Sequence, residues 1–395
     1  AEDERTEEKL GEVIDKLEAK IDDLEIKTLV QTSWRFGSDG VKQWKHDVLA
    51  ELVGNLGVFC DQEKGTYADV QKRLAQAQTI AKKTIADFQG LWDQTTAAIM
   101  SSEKYDGLTL KPQLGLIPLG MDPQSKLHEF LHLETHEGPI PVRDQDGKIT
   151  MTGKTGIILV LIPKGTFWMG SQKTDPKGQN FDPQSRPDEE LREVEIGKPF
   201  FLAKYEMTQG QWQRSPAVST TPSYYGVDWS YKGHKGKVSL LNPVEQVSWT
   251  MCTTLLVRIG LALPSEEQWE YAARAGTSSI FVGGTNEVKG ISSWGNIAGL
   301  ETKGVFSSSE SLVRDDYIVH APVGQFSASS FGLFDVLGNV REWTSTKTSS
   351  SNRVSRGGSF LVTALNARVA YRINFTVVQR YNNLGLRPFS QVSSD

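Results

Sequence analysis

Within Gly332-Leu-Phe-Asp-Val-Leu-Gly-Asn-Val-Arg-Glu-Trp-Thr344, the carboxylates of Asp335 and Glu342 flank Gly338-Asn339, a pair suited to a tight turn. A hard cation such as calcium gathers carboxylate, amide and carbonyl oxygens. The pattern Asp335-x-x-Gly-x-Val-x-Glu can supply two carboxylates together with the carbonyls of Gly338 and Val340. A solvated turn would use the same letters. Outward from this turn, from Gly156 on, short apolar runs are broken repeatedly by Gly, Pro and Asn, as in a domain of short strands and loops. Only residues 208–214, 248–260 and 265–275 read as helical. The last opens Leu263-Pro-Ser-Glu-Glu-Gln268, where a Ser N-cap followed three residues later by Gln forms a capping box. The class expected from this mixture is α+β.

Residues 1–105 have a different texture and are read as an α-helical region. Leu10, Ile14, Leu17, Ile21 and Leu24 recur at 4-3-4-3 spacing on a charged helix. Val41, Trp44, Val48, Leu52 and Leu56 share a second helical face, and Val70, Leu74, Ala77, Ala81, Ile85, Phe88 and Trp92 a third. Such helices pack into a small bundle or self-associate, since two heptads are marginal alone. Between them and the domain at 157–391, residues 106–156 carry five prolines, too many for regular helix, and are expected to form an extended connector.

Forty-three basic against 48 acidic residues give a net charge of −5. A phosphate-tracking or polybasic surface has no footprint in that balance, so neither nucleic acid nor an anionic membrane is an expected partner. The longest apolar run, residues 156–162, is strand-sized, so no membrane span is expected. The chain begins Ala-Glu-Asp without initiator Met or signal peptide; the expectation is a cytoplasmic or phage-associated protein whose N-terminus has been shortened. Cys60 and Cys252 cannot make a disulfide framework, and each reads as a small apolar residue.

Leu127-His-Glu-Phe-Leu-His132-Leu-Glu134 matches the His-Glu-x-x-His zinc pattern. It also resembles the His-x3-His-x-Glu iron motif of ergothioneine-type sulfoxide synthases. Either metal chemistry needs a helix to bring His128 and His132 together, and Pro123 and Pro139 leave little room for one. A structural segment is the main expectation and a His-ligated metal oxidoreductase or hydrolase the alternative.

Five ordered blocks carry a stronger resemblance: Gly165-Thr-Phe-Trp-Met-Gly170, residues 263–276, residues 332–344, Arg356-Gly-Gly-Ser359 and Asn383-Leu-Gly-Leu-Arg-Pro388. Together they resemble the formylglycine-generating enzyme, or sulfatase-modifying factor, family. The resemblance implies a C-type-lectin-like fold over residues 157–391. It also implies one structural calcium at Asn296, Asp315 and the Ile297 and Tyr317 carbonyls, and another at Asp335, Glu342 and the Gly338 and Val340 carbonyls. The second set is intact in every ligand type and is the favoured one, although the family's usual Trp before Glu342 is Arg341. The family's activity requires a copper-binding cysteine pair before the final Ala-Arg. Here the segment reads Asn366-Ala-Arg-Val-Ala-Tyr-Arg372, so neither copper nor catalysis is expected.

The last blocks also resemble the fixed frame of a variable protein of a diversity-generating retroelement, of bacterial or phage origin. On that resemblance residues 354–388 form a variable region displaying Phe360, Leu361, Val362, Thr363, Leu365, Ile373, Asn374, Phe375, Val377, Val378 and Tyr381. Each of these residues can be reached from an Asn codon by changing its adenines. The consecutive apolar residues 360–362 and 377–378 cannot all be buried by one strand face. The expected function is therefore non-catalytic binding of a macromolecular ligand, a protein; the alternative is an enzyme, either formylglycine-generating-enzyme-like or the metal oxidoreductase or hydrolase of His128 and His132.

Overall fold

Ile158–Ile162 is apolar at every position because both faces of this strand are covered. In the computed structural model, which describes residues 39–61, 65–215, 220–231, 237–307 and 309–393 together with residues 16, 19 and 20, it is the centre of a five-stranded sheet. The strands are β1 (Leu116–Met121), β2 (His128–His132), β3 (Ile158–Ile162), β4 (Gly165–Met169), β5 (Arg192–Ile196), β6 (Phe200–Ala203), β7 (Gly295–Asn296), β8 (Leu337–Gly338), β9 (Arg341–Lys347), β10 (Asn352–Arg356), β11 (Ile373–Thr376), β12 (Leu384–Leu386) and β13 (Phe389–Gln391). The large sheet runs β1-β2-β3-β6-β13, antiparallel throughout. A second sheet, β11-β10-β9-β12, is drawn from residues 341–386, and β4-β5 and β7-β8 form two-stranded sheets.

The chain divides into two units at residues 79/80. In the first, α1 (Gly40–Cys60) is capped by Asp39 and buries no residue; Trp44, Leu49 and Leu52 are exposed. The heptad residues Leu10, Ile14, Leu17, Ile21 and Leu24 lie outside the described residues. Helix α2 (Thr66–Thr84) follows, then a 3-10 turn at Ala86–Phe88 breaks the pattern before α3 (Gln89–Ser101). Helix α3 belongs to the second unit. Its Trp92 is fully buried, stacks on Phe130 of β2 at 5.5 Å and donates to the Thr84 carbonyl.

Two expectations are corrected at this level. Residues 106–156 are not a connector: they supply β1 and β2, with Ile117, Phe130 and Leu131 in the core. Their prolines sit where a strand accepts them, Pro118 beside the β-bulge of β1 and the others outside strands. The His-Glu-x-x-His segment is strand β2, where every residue is buried. On a strand His128 and His132 stand about 13 Å apart, too far to share an ion. His132 instead bonds the Ile259 carbonyl through Nε2 at 3.0 Å, and burial lowers its pKa to about 4, keeping it neutral. Glu129, on the opposite face, is neutralised by Lys204 and by Arg143 at 2.8 Å.

The three helices expected in the second half form where their caps stand: α4 (Gln209–Arg214) on Thr208, α5 (Trp249–Arg258) on Ser248 and α6 (Glu266–Arg274) on Ser265, the first and last with complete capping boxes. Cys252 on α5 is fully buried, and desolvation raises its thiol pKa, so it is an inert core residue. Among the described residues no helix is long and apolar enough to cross a membrane.

Candidate functional site

Residues 356–387 are held by three guanidiniums that lie inside the protein. Arg356 donates to the carbonyls of Val369, Ala370 and Tyr371 at 3.2, 2.8 and 3.0 Å and pairs with Glu270. Arg368 is clamped by Asp182 and by both oxygens of Glu189 at 2.8 Å. Arg387 forks onto Glu342 and donates to the Ala203 and Phe334 carbonyls at 3.0 and 2.8 Å. Planar five-donor groups suit this task, since one side chain can satisfy several backbone acceptors and a carboxylate together. Gly357 and Gly358, at φ 93° and 77°, turn the chain beneath the segment. A Cβ on Gly358 would stand 2.8 Å from the Ala367 Cα, so only glycine fits.

On this frame the expected variable side chains take three different positions. Leu365, Val378 and Tyr381 are exposed at 48%, 72% and 39%, and Asn374 is also exposed. Leu361, Val362, Thr363, Ile373, Phe375 and Val377 are half-buried. Phe360 is fully buried and is not a display residue. It packs with Tyr225, Val238, Ile318, Val319 and Val340, its ring 5.7 Å from that of Tyr225. Residues 360–362 form a turn rather than a strand, so the chain sends the first inward and the next two to the boundary. From the core of the second sheet an aromatic series leads outward: Trp343 meets Phe375 at 5.9 Å, and Phe375 meets Tyr381 at 4.9 Å.

The two expected cation sets differ in structure. At the second, Glu342 already accepts from Arg387 on both oxygens and from Trp269 Nε1 at 2.6 Å. The N–H of Val340 is held by the buried Glu206 at 2.9 Å. Gly338 sits on β8 at φ 77°, and Asp335 retains a single buried oxygen without a partner, its pKa raised by burial to about 6. One open carboxylate oxygen beside a neutralised Glu342 is a poor fit for a divalent ion. At the first set, Asp315 accepts from the N–H groups of Ile297 and Tyr317, both at 3.0 Å, so it binds these residues through nitrogen. Asn296 Oδ1 and Glu301 Oε2 are buried acceptors without partners. Burial, then the neighbouring Glu301, raises the Asp315 pKa to about 9. Glu301 Oε2 and Asn296 Oδ1 lack donors, and with the Asp315 carboxylate beside Glu301 they are oxygen ligands of the types a hard cation takes. Glu301 was not foreseen, because its 3-10 turn at Leu300–Thr302 has no sequence spacing that ties it to Asp315. Among the described residues no three His, Cys, Asp or Glu side chains are grouped so as to hold a metal ion, so any cation here would draw on only two carboxylates together with amide or carbonyl oxygens.

Comparison with known proteins places this geometry in a family. The sulfatase-modifying factor enzyme 1-like domain matches residues 150–391. The formylglycine-generating enzyme of Mycobacterium tuberculosis is 35% identical over 117 residues, 29% of this chain and 36% of that protein. The inactive C-alpha-formylglycine-generating enzyme 2 of Bos taurus is 33% identical over 159 residues, 37% of this chain and 49% of that protein. The chain thus spans a third to a half of the length of these relatives, which include an enzyme and an inactive paralogue. Among solved structures, Treponema denticola variable protein 1 aligns with a TM-score of 0.47 at 19% identity, over 62% of this chain and 98% of that one. PvdO from Pseudomonas aeruginosa aligns at 0.46 and 21%, over 60% and 95%. The family match takes in the capping box of α6, the Asp335–Glu342 turn and the arginine frame in one span covering more than half of the sequence, and by it the chain belongs to the sulfatase-modifying factor enzyme 1-like domain family, with its C-type-lectin-like α+β fold.

Proposed function

We propose that this protein is a non-catalytic binding module whose segment 361–381, diversified by a retroelement, presents its side chains to a protein ligand. The observation that carries this reading is the division of labour within the segment. Arg356, Arg368 and Arg387 hold the backbone from inside, the Leu365 carbonyl included, while the side chains of Leu365, Asn374, Val378 and Tyr381 reach solvent and form none of that frame's ion pairs. Exposed side chains on a backbone held elsewhere can change without unfolding the domain. The sequence carries no cysteine after Cys252, so the thiolate copper centre of formylglycine generation has no ligands. Incubated with copper and a cysteine-containing sulfatase peptide, the protein is expected to yield no formylglycine by mass spectrometry; turnover would refute the binding-module reading. An adenine-rich near-repeat of codons 354–388 beside a reverse transcriptase gene is the matching expectation for diversification. The exposed face of α1 supports self-association through the N-terminal helices.

A structural calcium belongs to the same proposal, held by Asn296, Glu301 and Asp315 rather than by the Asp335 set. The sign of its pH dependence follows from Asp315. Its pKa is about 9 folded against 3.8 for the free side chain, so the folded state binds the extra proton between those values. That contribution is fully present below the unfolded pKa and is lost progressively as pH rises to the folded one. Without calcium, the melting midpoint is expected to fall between about pH 6 and pH 9. Calcium, which binds the ionised pair, should restore it and do so more strongly at the higher pH. Identical melts in calcium and in chelator at pH 8.5 would refute this assignment, and Asp315→Asn combined with Glu301→Gln should abolish any response.

A further inference from the structure

We infer that Arg341 is the receptor for a carboxylate carried by the ligand. This inference rests on the binding-face reading and names the chemistry of that face's partner. Arg341 stands where the second sheet begins, as the first residue of β9, and is only 4% exposed. Its backbone N–H is used by the Asn383 carbonyl, but its guanidinium makes no hydrogen bond or ion pair with any described residue. Nη1 is a buried donor without a partner. The group lies over the ring of Tyr371, its central carbon 5.5 Å from the centroid. Arg356, Arg368 and Arg387, equally buried, each meet at least one carboxylate. Arg353, also buried, meets no carboxylate but donates to the Ser349 and Asn352 carbonyls, whereas the Arg341 guanidinium has neither kind of acceptor.

A guanidinium buried without a counterion is costly, and an aromatic face offsets only a fraction of that cost. Burial accordingly pushes the Arg341 pKa down to about 10. A water molecule could satisfy Nη1 but would bring no charge. A second unpartnered polar atom lies on the same sheet face. Ser355 is paired across the sheet with Trp343, two residues along from Arg341, which sets it diagonally opposite at about 7–8 Å. Its Oγ is wholly buried and has no partner either. Arg186 and Arg368 also lie over the Tyr371 ring, 5.0 and 5.6 Å from its centroid, but each already meets a carboxylate, so Arg341 and the Ser355 hydroxyl are left to balance a single negative charge. A carboxylate therefore matches the site, and a dianionic phosphate would leave one charge unanswered. The same face carries Trp343, and through it Phe375 and the exposed Tyr381. The partner that fits is a protein segment with a carboxylate, from Asp, Glu or a chain terminus, flanked by apolar side chains.

Acetate is the probe. At pH 7 and constant ionic strength, replacing chloride by about 100 mM acetate is expected to raise the wild-type melting midpoint by about 2 °C, and phosphate to raise it less. Arg341→Met, which keeps length and packing while removing the lone charge, should melt above the wild type in chloride and ignore acetate. An acetate response no larger than that to chloride, a larger response to phosphate, or an Arg341→Met protein that melts lower or fails to fold would each overturn the inference. The acetate titration needs no variant, so the test stands if the substitution disturbs folding. Formylglycine turnover would end the binding-module reading and leave the acetate result untouched, so the two failures are distinguishable.

Discussion

Arg387→Met is expected to destabilise the domain by about 3–5 kcal/mol, the cost of breaking a buried ion pair from one side. The guanidinium forks onto Glu342 at 2.7–3.0 Å and also caps the Ala203 and Phe334 carbonyls. Its charge serves more than one carboxylate. Glu206 and Asp335, both fully buried, have pKa values raised first by desolvation; Arg387 opposes the rise in each. Methionine would fill most of the volume and leave these acids facing one another. A domain stable by about 5–15 kcal/mol would lose a large share of that margin. The loss should also depend on pH. Acids whose folded pKa is raised stabilise the fold when protonated, so the variant should regain stability as pH falls from about 8 to about 5. Denaturant melts at the two pH values measure both effects, and a variant melting like the wild type at each would show that the fork is dispensable.

Phe360→Asn is expected to cost about 3–5 kcal/mol, whereas Leu365→Asn, Val378→Asn and Tyr381→Asn together should cost within about 1.5 kcal/mol. The first removes a fully buried ring from contact with Tyr225, His320 and Phe306 and puts an amide in its place. The other three side chains stand in solvent, and an amide there meets water. Under the proposed diversification all four positions would be reached equally, so the contrast tests the physical boundary of the proposed display surface, with Phe360 outside it and the other three within it. Equilibrium unfolding of the two variants is sufficient. A near-normal midpoint for Phe360→Asn, or an unfolded triple variant, would contradict the assignment of core and face.

Changes at the supporting carboxylates should be read differently from changes at the exposed positions. Glu270 is fully buried, and Arg274 and Arg356 together hold its pKa below the usual carboxylate value against the cost of burial. Loss of Glu270 therefore strips two guanidiniums at once, and any effect on ligand binding would follow from a damaged frame rather than from a lost contact.

Much of this protein is determined by short-range features of its sequence. Ser265 and Gln268 begin α6 because both partners of the cap lie within one turn, and Thr208 with Gln211 does the same for α4. The unbroken apolar run at Ile158–Ile162 specifies a strand covered on both faces, and the absence of cysteine after Cys252 is a matter of composition alone. Tertiary structure decided whatever depends on partners distant in sequence. His128 and His132 have metal-motif spacing only on a helix, and pairing with β1 and β3 makes the segment a strand. Phe360 and Leu361 are adjacent apolar letters, yet a turn buries one and leaves the other at the boundary. Glu301 meets Asp315, and Arg341 meets Tyr371 and no carboxylate, through folding of loops that share no period. Local propensity acts over a turn or two, whereas burial and charge pairing are settled by which surfaces finally exclude water.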